Sequence, residues 1–265
     1  MRAAVNERYG PPDVIAVREV PTPMPRAGEV LVRVHASTVS RTDCGQLLAH
    51  PFFMRLVTGV TRPKRTILGT NFAGEVEAVG DGVTAFAPGD RVFGLAPGGY
   101  GGHAQCPCLP QDEAVALMPE GLHFHEAVVC EGAWHANSNL RVLDAVGKLS
   151  YFQCRRLLTP RGIFATTDLG PHNQNAVLAL WGRISGRRRV VLGLPMPGRE
   201  LVVFMGDRLQ AGEFRAVIDR RYPLEEIVEA YRYVETGQKT GIVVIDVPRT
   251  PHPSRDGTAL PMGSA

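Results

Sequence analysis

Residues 67–94, ILGTNFAGEVEAVGDGVTAFAPGDRVFG, constrain this chain more than any other stretch. Val76, Ala78, Val83 and Phe86 alternate with polar or small residues, the period-two pattern of strands with one buried face. Gly80-Asp81-Gly82 and Pro88-Gly89-Asp90 supply the turns. Glycine reaches positive φ there, and the proline ring presets φ near the value a turn's second residue needs. The result is a small antiparallel barrel.

Composition narrows the classes. With 265 residues and 44% hydrophobic side chains, the chain can bury the core of one large domain or two ordinary ones. The balance of 29 basic against 26 acidic side chains creates no large field of one sign, so nucleic acid is not expected as a partner. Cys44, Cys106, Cys108, Cys130 and Cys154 are odd in number and unframed, which reads as reduced thiols in a cytoplasm. No apolar run approaches the roughly 20 residues of a membrane span, and MRAAVNERYG lacks the apolar core of a secretion signal.

In chain order, residues 1–20 read as two short strands around the turn at Tyr9-Gly10-Pro11-Pro12. Residues 29–37, EVLVRVHAS, form a barrel strand with Val30, Val32 and Val34 on one face. Ser40-Arg41-Thr42-Asp43 opens a short helix, and the spacing of Ser40 and Asp43 fits a capping box in which each satisfies a free backbone donor. Residues 51–66 read as a mobile basic loop with Arg62, Lys64 and Arg65 solvated. The glycine-rich run 96–104 passes from one strand into another, so it is not the strand-to-helix turn that cradles a dinucleotide. Cys106-Pro107-Cys108 reads as a pair of buried strand cysteines. His103, His125 and His135 have no carboxylate at motif spacing and read as structural or exposed.

From residue 142 the period changes. Strands at 142–146, 162–167 and 189–194 alternate with helices at 150–158, where Phe152, Leu157 and Leu158 face inward, and at 175–184, a pattern that predicts parallel pairing. A helix at 125–141 precedes them, and Arg187-Arg188-Arg189 reads as a solvated end. Beyond lie a helix at 201–211, a strand at 214–219, a helix at 223–235 and a closing strand at 241–247. Residues 248–265 read as disordered.

The glycine spacing of 67–94, the tetrapeptide Ser40–Asp43 and the strand ending Asp144-Ala145-Val146-Gly147 resemble the medium-chain dehydrogenase/reductase superfamily, in its zinc-independent, quinone-oxidoreductase-like branch. The resemblance covers residues 1–247 with one internal gap. Zinc-dependent relatives carry a cysteine where Ser40 stands and His-Glu where Thr70-Asn71 follows Gly69. Cys130 resembles one remaining ligand position, and one thiolate cannot make a site that needs three protein ligands, so no metal is expected. Against the family layout, about 70 residues are absent between 141 and 142, the first half of the Rossmann unit. No G-x-G-x-x-G occurs in the chain.

The expected fold class is therefore α/β, α+β overall: a GroES-like antiparallel β-barrel plus a truncated parallel Rossmann-type sheet. The domains expected are 1–125 for the barrel, 126–200 for the incomplete Rossmann-type part, 201–247 for a return to the barrel, and 248–265 as a tail. The resemblance implies NADPH as cofactor and a quinone or conjugated carbonyl compound as acceptor. Ser40 and Thr42 would stabilise the developing enolate oxygen and Asp43 would orient them or the nicotinamide ribose. Gly147, Asp168 and Gly170, at the ends of retained strands, would hold the nicotinamide half. It also implies a homodimer paired through 189–194, with 142–146 left as a new edge. Two further readings stay open: a redox-inactive protein that binds, isomerises or cyclises a small conjugated carbonyl compound without a cofactor, and a chain whose internal deletion impairs folding.

Overall fold

A computed structural model of the protein describes residues 1–50, 55–128, 142–144, 150–158, 164–166, 174–186, 190–192 and 198–248. The largest element is a seven-stranded sheet built on the long strand β3 (Glu29–Val39). A hairpin of β1 (Arg2–Asn6) and β2 (Ile15–Glu19) precedes it, with a short 3-10 turn at Pro12–Val14. β3 pairs antiparallel with β4 (Asn71–Val79), which pairs with β5 (Arg91–Leu95), which pairs with β7 (Val115–Leu117). The other edge of β3 is shared. β6 (Cys108–Pro110) takes its first residues and β12 (Ile242–Asp246) its last.

The barrel expected from the sequence is not closed by hydrogen bonds. The path β3-β4-β5-β7 curls back toward β3 through β6, but β6 and β7 form no ladder with each other among the described residues. Pro107 and Pro110 bound β6 and have no backbone N–H to extend the pairing. β11 (Ile218–Pro223) adds to β12 in parallel, with an irregularity between Ile218 and Arg220. That strand begins four residues later than the expected 214–219, because Phe214 and Ala216 pack as loop residues against the second core.

Two helices seal this sheet. α6 (Arg199–Gln210) buries Val202, Met205 and Leu209 against the cluster around Phe93 and Leu95. α7 (Ile227–Glu235) buries Ile227, Ala230, Tyr231 and Val234, one face at the i, i+3, i+4, i+7 spacing, against the cluster around Phe72 and Ile245. Each such apolar side chain removed from water contributes about 1.5–3 kcal/mol.

The second sheet is parallel and has the order β10 (Val190–Leu192), β9 (Phe164–Thr166), β8 (Val142–Asp144) among the described residues. β8 has one pairing partner among the described strands. Short α4 (Tyr151–Cys154) and longer α5 (Gln174–Ile184) accompany it. The expected inward position of Phe152 is corrected: it is exposed, and Tyr151 and Cys154, three apart on a single turn capped by Ser150, face Phe164 instead. α3 (Phe124–Ala127) is the described part of the helix expected at 125–141. The loop expected at 51–66 contains a helical turn, α2 (Arg55–Thr58). Of the tail expected to be disordered, 248–265, residues 249–265 lie outside the described residues, as do Gly147, Asp168 and Gly170.

Candidate functional site

The site is organised by α1 (Arg41–Leu48). Ser40 adopts extended backbone before the first turn, its Oγ accepts from Asp43 N, and the Asp43 carboxylate accepts from Ser40 N, the capping box that the tetrapeptide predicts. The distances are 3.3 Å for Asp43 N to Ser40 Oγ and 2.9 Å for Ser40 N to Asp43 Oδ2. Ser40 Oγ also donates to Asp43 Oδ2 at 2.7 Å. From the start of β4, Thr70 donates to the other oxygen, Asp43 Oδ1, through its N at 3.1 Å and its Oγ1 at 3.0 Å.

Asp43 is fully buried. Its charge is balanced by four donors and by the positive end of α1, which is how a carboxylate survives out of water. The Ser40 and Thr70 hydroxyl protons are engaged with Asp43, and Thr42 is exposed at the first turn of α1.

Behind this group lies a second buried polar layer. Asn71 Nδ2 donates to Thr38 Oγ1 at 2.8 Å, and Ser37 Oγ donates to Asn71 O at 2.7 Å. His103 Nε2 lies 2.9 Å from Thr38 O, so that nitrogen carries the proton, and in the neutral ring Nδ1 accepts from Tyr231 Oη at 3.4 Å. Burial pushes the His103 imidazole below its ordinary value, against the opposing influence of Asp43 and the hydrogen bond to Thr38. Burial likewise pushes the Tyr231 phenol up. His103 is thus structural, as its sequence context suggests. Tyr231 has no sequence signal of its own, and the hold of Thr70 on Asp43 is found only through their contact.

Gly69 makes the junction between the layers possible. It has φ +106°, and a Cβ there would meet His103 N at 2.4 Å. On the solvent side, Gly99 brings the 97–99 loop against Gln46 and Thr70.

A zinc ion does not fit this donor set. Ser40, Thr70 and Asn71 offer hydroxyls and a carboxamide already engaged with Asp43 and Thr38, and no three His, Cys, Asp or Glu side chains converge among the described residues. Cys130 lies outside the described residues. A nicotinamide cofactor fits in part. Asp144 of β8 and Thr166 of β9 are in register on adjacent parallel strands. Open α/β sheets place ligands at such carboxyl ends; Gly147, Asp168 and Gly170, which come next in sequence, lie outside the described residues.

The family profile described as "Alcohol dehydrogenase GroES-like domain" matches residues 26–136, and that described as "Zinc-binding dehydrogenase" matches 134–245. The quinone oxidoreductase of Homo sapiens is 34% identical over 130 residues, 48% of this chain and 36% of that protein. The quinone oxidoreductase of Sus scrofa is 34% identical over 123 residues, 45% of this chain and 34% of that protein. The matched stretch therefore spans about a third of the length of these relatives. The structure of the quinone oxidoreductase from Coxiella burnetii superposes with a TM-score of 0.69 at 20% identity, covering 94% of this chain and 99% of that one. An NAD-dependent alcohol dehydrogenase gives 0.68 at 22% identity, covering 94% and 100%. At these identities the superpositions speak for the fold alone. Together, the two adjoining profile matches, the quinone oxidoreductase relatives and the shared fold establish that the chain belongs to the medium-chain dehydrogenase/reductase superfamily, in its quinone-oxidoreductase-like branch.

Proposed function

We propose that the protein is an NADPH-dependent reductase of quinones or conjugated enones that works without zinc. The observation that carries the reading is the Thr42 hydroxyl, exposed at the start of α1 and held there by the buried Ser40–Asp43–Thr70 lock, in a chain whose relatives are named quinone oxidoreductases. NADPH, when bound, supplies the hydride. Thr42 donates to the acceptor oxygen on which negative charge develops, and the amino end of α1 favours that charge. Ser40 and Asp43 are positioning residues: they fix the first turn from which Thr42 donates. Gly147, Asp168 and Gly170 hold the nicotinamide half of the cofactor. The serine, threonine and asparagine at the would-be ligand positions support the zinc-free reading.

The same reading gives a homodimer paired through β10. In support, β10 has one pairing partner among the described strands, and α5 beside it exposes Val177, Leu180, Trp181 and Ile184. A cytoplasmic setting is supported by the free thiols of Cys44, Cys106, Cys108 and Cys154; no helix among the described residues is long and apolar enough to cross a membrane.

Titration of the purified chain with NADPH, followed by fluorescence, tests the cofactor. Binding below millimolar concentration, with oxidation of NADPH when a quinone is added, is the expected result; no binding up to millimolar defeats the reductase reading. Thr42→Ala lowers turnover about 100-fold, the scale of one lost oxyanion donor. As an exposed substitution it leaves stability within about 0.5 kcal/mol. Unchanged turnover would remove Thr42 from the chemistry.

A further inference from the structure

We infer that the acceptor taken by this site carries a negatively charged group, a carboxylate or a phosphate, and that Arg65 is its anchor; the inference rests on the reductase reading for the identity of the site. Between Asp43 and Glu75 the chain contains no acidic residue, yet Arg55, Arg62, Lys64 and Arg65 all fall in that interval. Asp43 itself is buried, with its charge taken up by Ser40 and Thr70. Among the described residues Arg62, Lys64 and Arg65 form no ion pair, whereas Arg2, Arg33 and Arg221 are matched by Glu225, Glu75 and Asp246. The segment that leads into Thr70 thus carries cations with no carboxylate paired to them among the described residues.

Arg65 is the member that reaches the site. Its Nη1 donates to Pro97 O at 2.6 Å, and its guanidinium stands 5.5 Å from the Tyr100 ring centre. The same 97–99 loop meets both sides. A Cβ at Gly98 would lie 3.3 Å from Arg65 Nη1, and one at Gly99 would lie 3.3 Å from Thr70 Oγ1 and 2.5 Å from Gln46 Nε2. With neighbouring Cα atoms 3.8 Å apart, the guanidinium is no more than about 13 Å from the Thr70 hydroxyl. Thr70 Oγ1 is in turn 3.0 Å from Asp43 Oδ1, in the first turn of α1, so one acceptor can have its carbonyl at that turn and its anionic substituent at Arg65.

The guanidinium is suited to the task. One of its five N–H donors is used on Pro97, the group stands beside Tyr100, and the side chain is exposed, so the remaining donors can take a carboxylate or phosphate bidentate. Arg62 and Lys64, both exposed, strengthen the local potential without contacting the ligand.

The test compares a naphthoquinone bearing a carboxylate side chain with its methyl ester, by equilibrium binding to the full chain and by NADPH-dependent turnover. Wild type is expected to bind the acid about tenfold more tightly than the ester at low salt, with the advantage shrinking at about 0.5 M salt. Arg65→Met abolishes the preference and leaves the ester unchanged. The surface variant Arg62→Met/Lys64→Met reduces the preference, and it decides the matter if Arg65→Met does not fold: an undiminished preference there overturns the inference. Equal binding of acid and ester overturns it too, as does an Arg65→Met variant that weakens both alike. A raised KM for NADPH with the acceptor unaffected also overturns it, because the anion would then be the cofactor's phosphate. Preference for the acid in binding without any turnover leaves the anion site standing and defeats the reductase reading instead.

Discussion

Asp43 shows how much of the site rests on one side chain. Each of its oxygens accepts from one backbone N–H and one hydroxyl. In Asp43→Asn the new NH2 must face one of these pairs; the hydroxyl can rotate to accept, but the backbone N–H cannot. One buried donor then goes unpaired, at a cost of about 1–3 kcal/mol. Urea denaturation measures it, and a loss below about 0.5 kcal/mol would mean that the carboxylate is not the keystone of the site. His103 makes the complementary case in pH. Its folded value lies below the ordinary 6.5, so the unfolded chain takes up the proton first as pH falls. The contribution to stability is therefore complete above about pH 6.5 and is lost below it, by up to roughly 1.4 kcal/mol per pH unit. His103→Gln should remove this acid-side slope, and an unchanged slope would assign it to other groups.

At the scale of elements, the join between β4 and the 101–104 segment is the least tolerant feature. Leu68 O accepts from His103 N at 2.9 Å and Gly69 O from Gly102 N at 2.9 Å, an approach that no side chain at residue 69 permits. Gly69→Ala forces a Cβ against His103 N in a backbone region that favours glycine, and should cost roughly 2–4 kcal/mol. Thr70 and His103 flank the clash, so the lock on Asp43 should loosen with it. A thermal melt of the variant checks the cost; a melting temperature within about 2 °C of wild type would contradict the close approach. By contrast, the helix start at Ser40 was readable from four consecutive residues, because a capping box joins positions only three apart.

At the scale of the whole molecule, the two sheets differ in how well they cover themselves. The seven-stranded sheet buries both main clusters under α6 and α7, whereas the parallel sheet has edges at β8 and β10 among the described strands. On α5, Trp181 is 67% exposed and Ile184 73%, on the same stripe as Val177 and Leu180. An apolar stripe beside an open strand edge favours association. Light scattering at tens of micromolar should report a dimer or larger species, and Trp181→Glu should shift it toward monomer with little change in stability. A wild-type monomer at that concentration would refute the assembly.

What the sequence determined by itself is local: the alternation and turns of 67–94, the cap at Ser40 and the strand–helix alternation after 142. Each of these is written in residues a few positions apart, where backbone periodicity and turn chemistry leave a readable pattern. The tertiary structure alone decided the rest. Thr70 meets Asp43 across 27 positions, His103 meets Thr38 across 65, and Tyr231 meets His103 across 128. Arg65, which reads as solvated, crosses 32 positions to Pro97. It also decided that the curled sheet stays open between β6 and β7. Such pairings have no period in the chain; they exist because buried polar groups must find partners wherever folding brings the segments together.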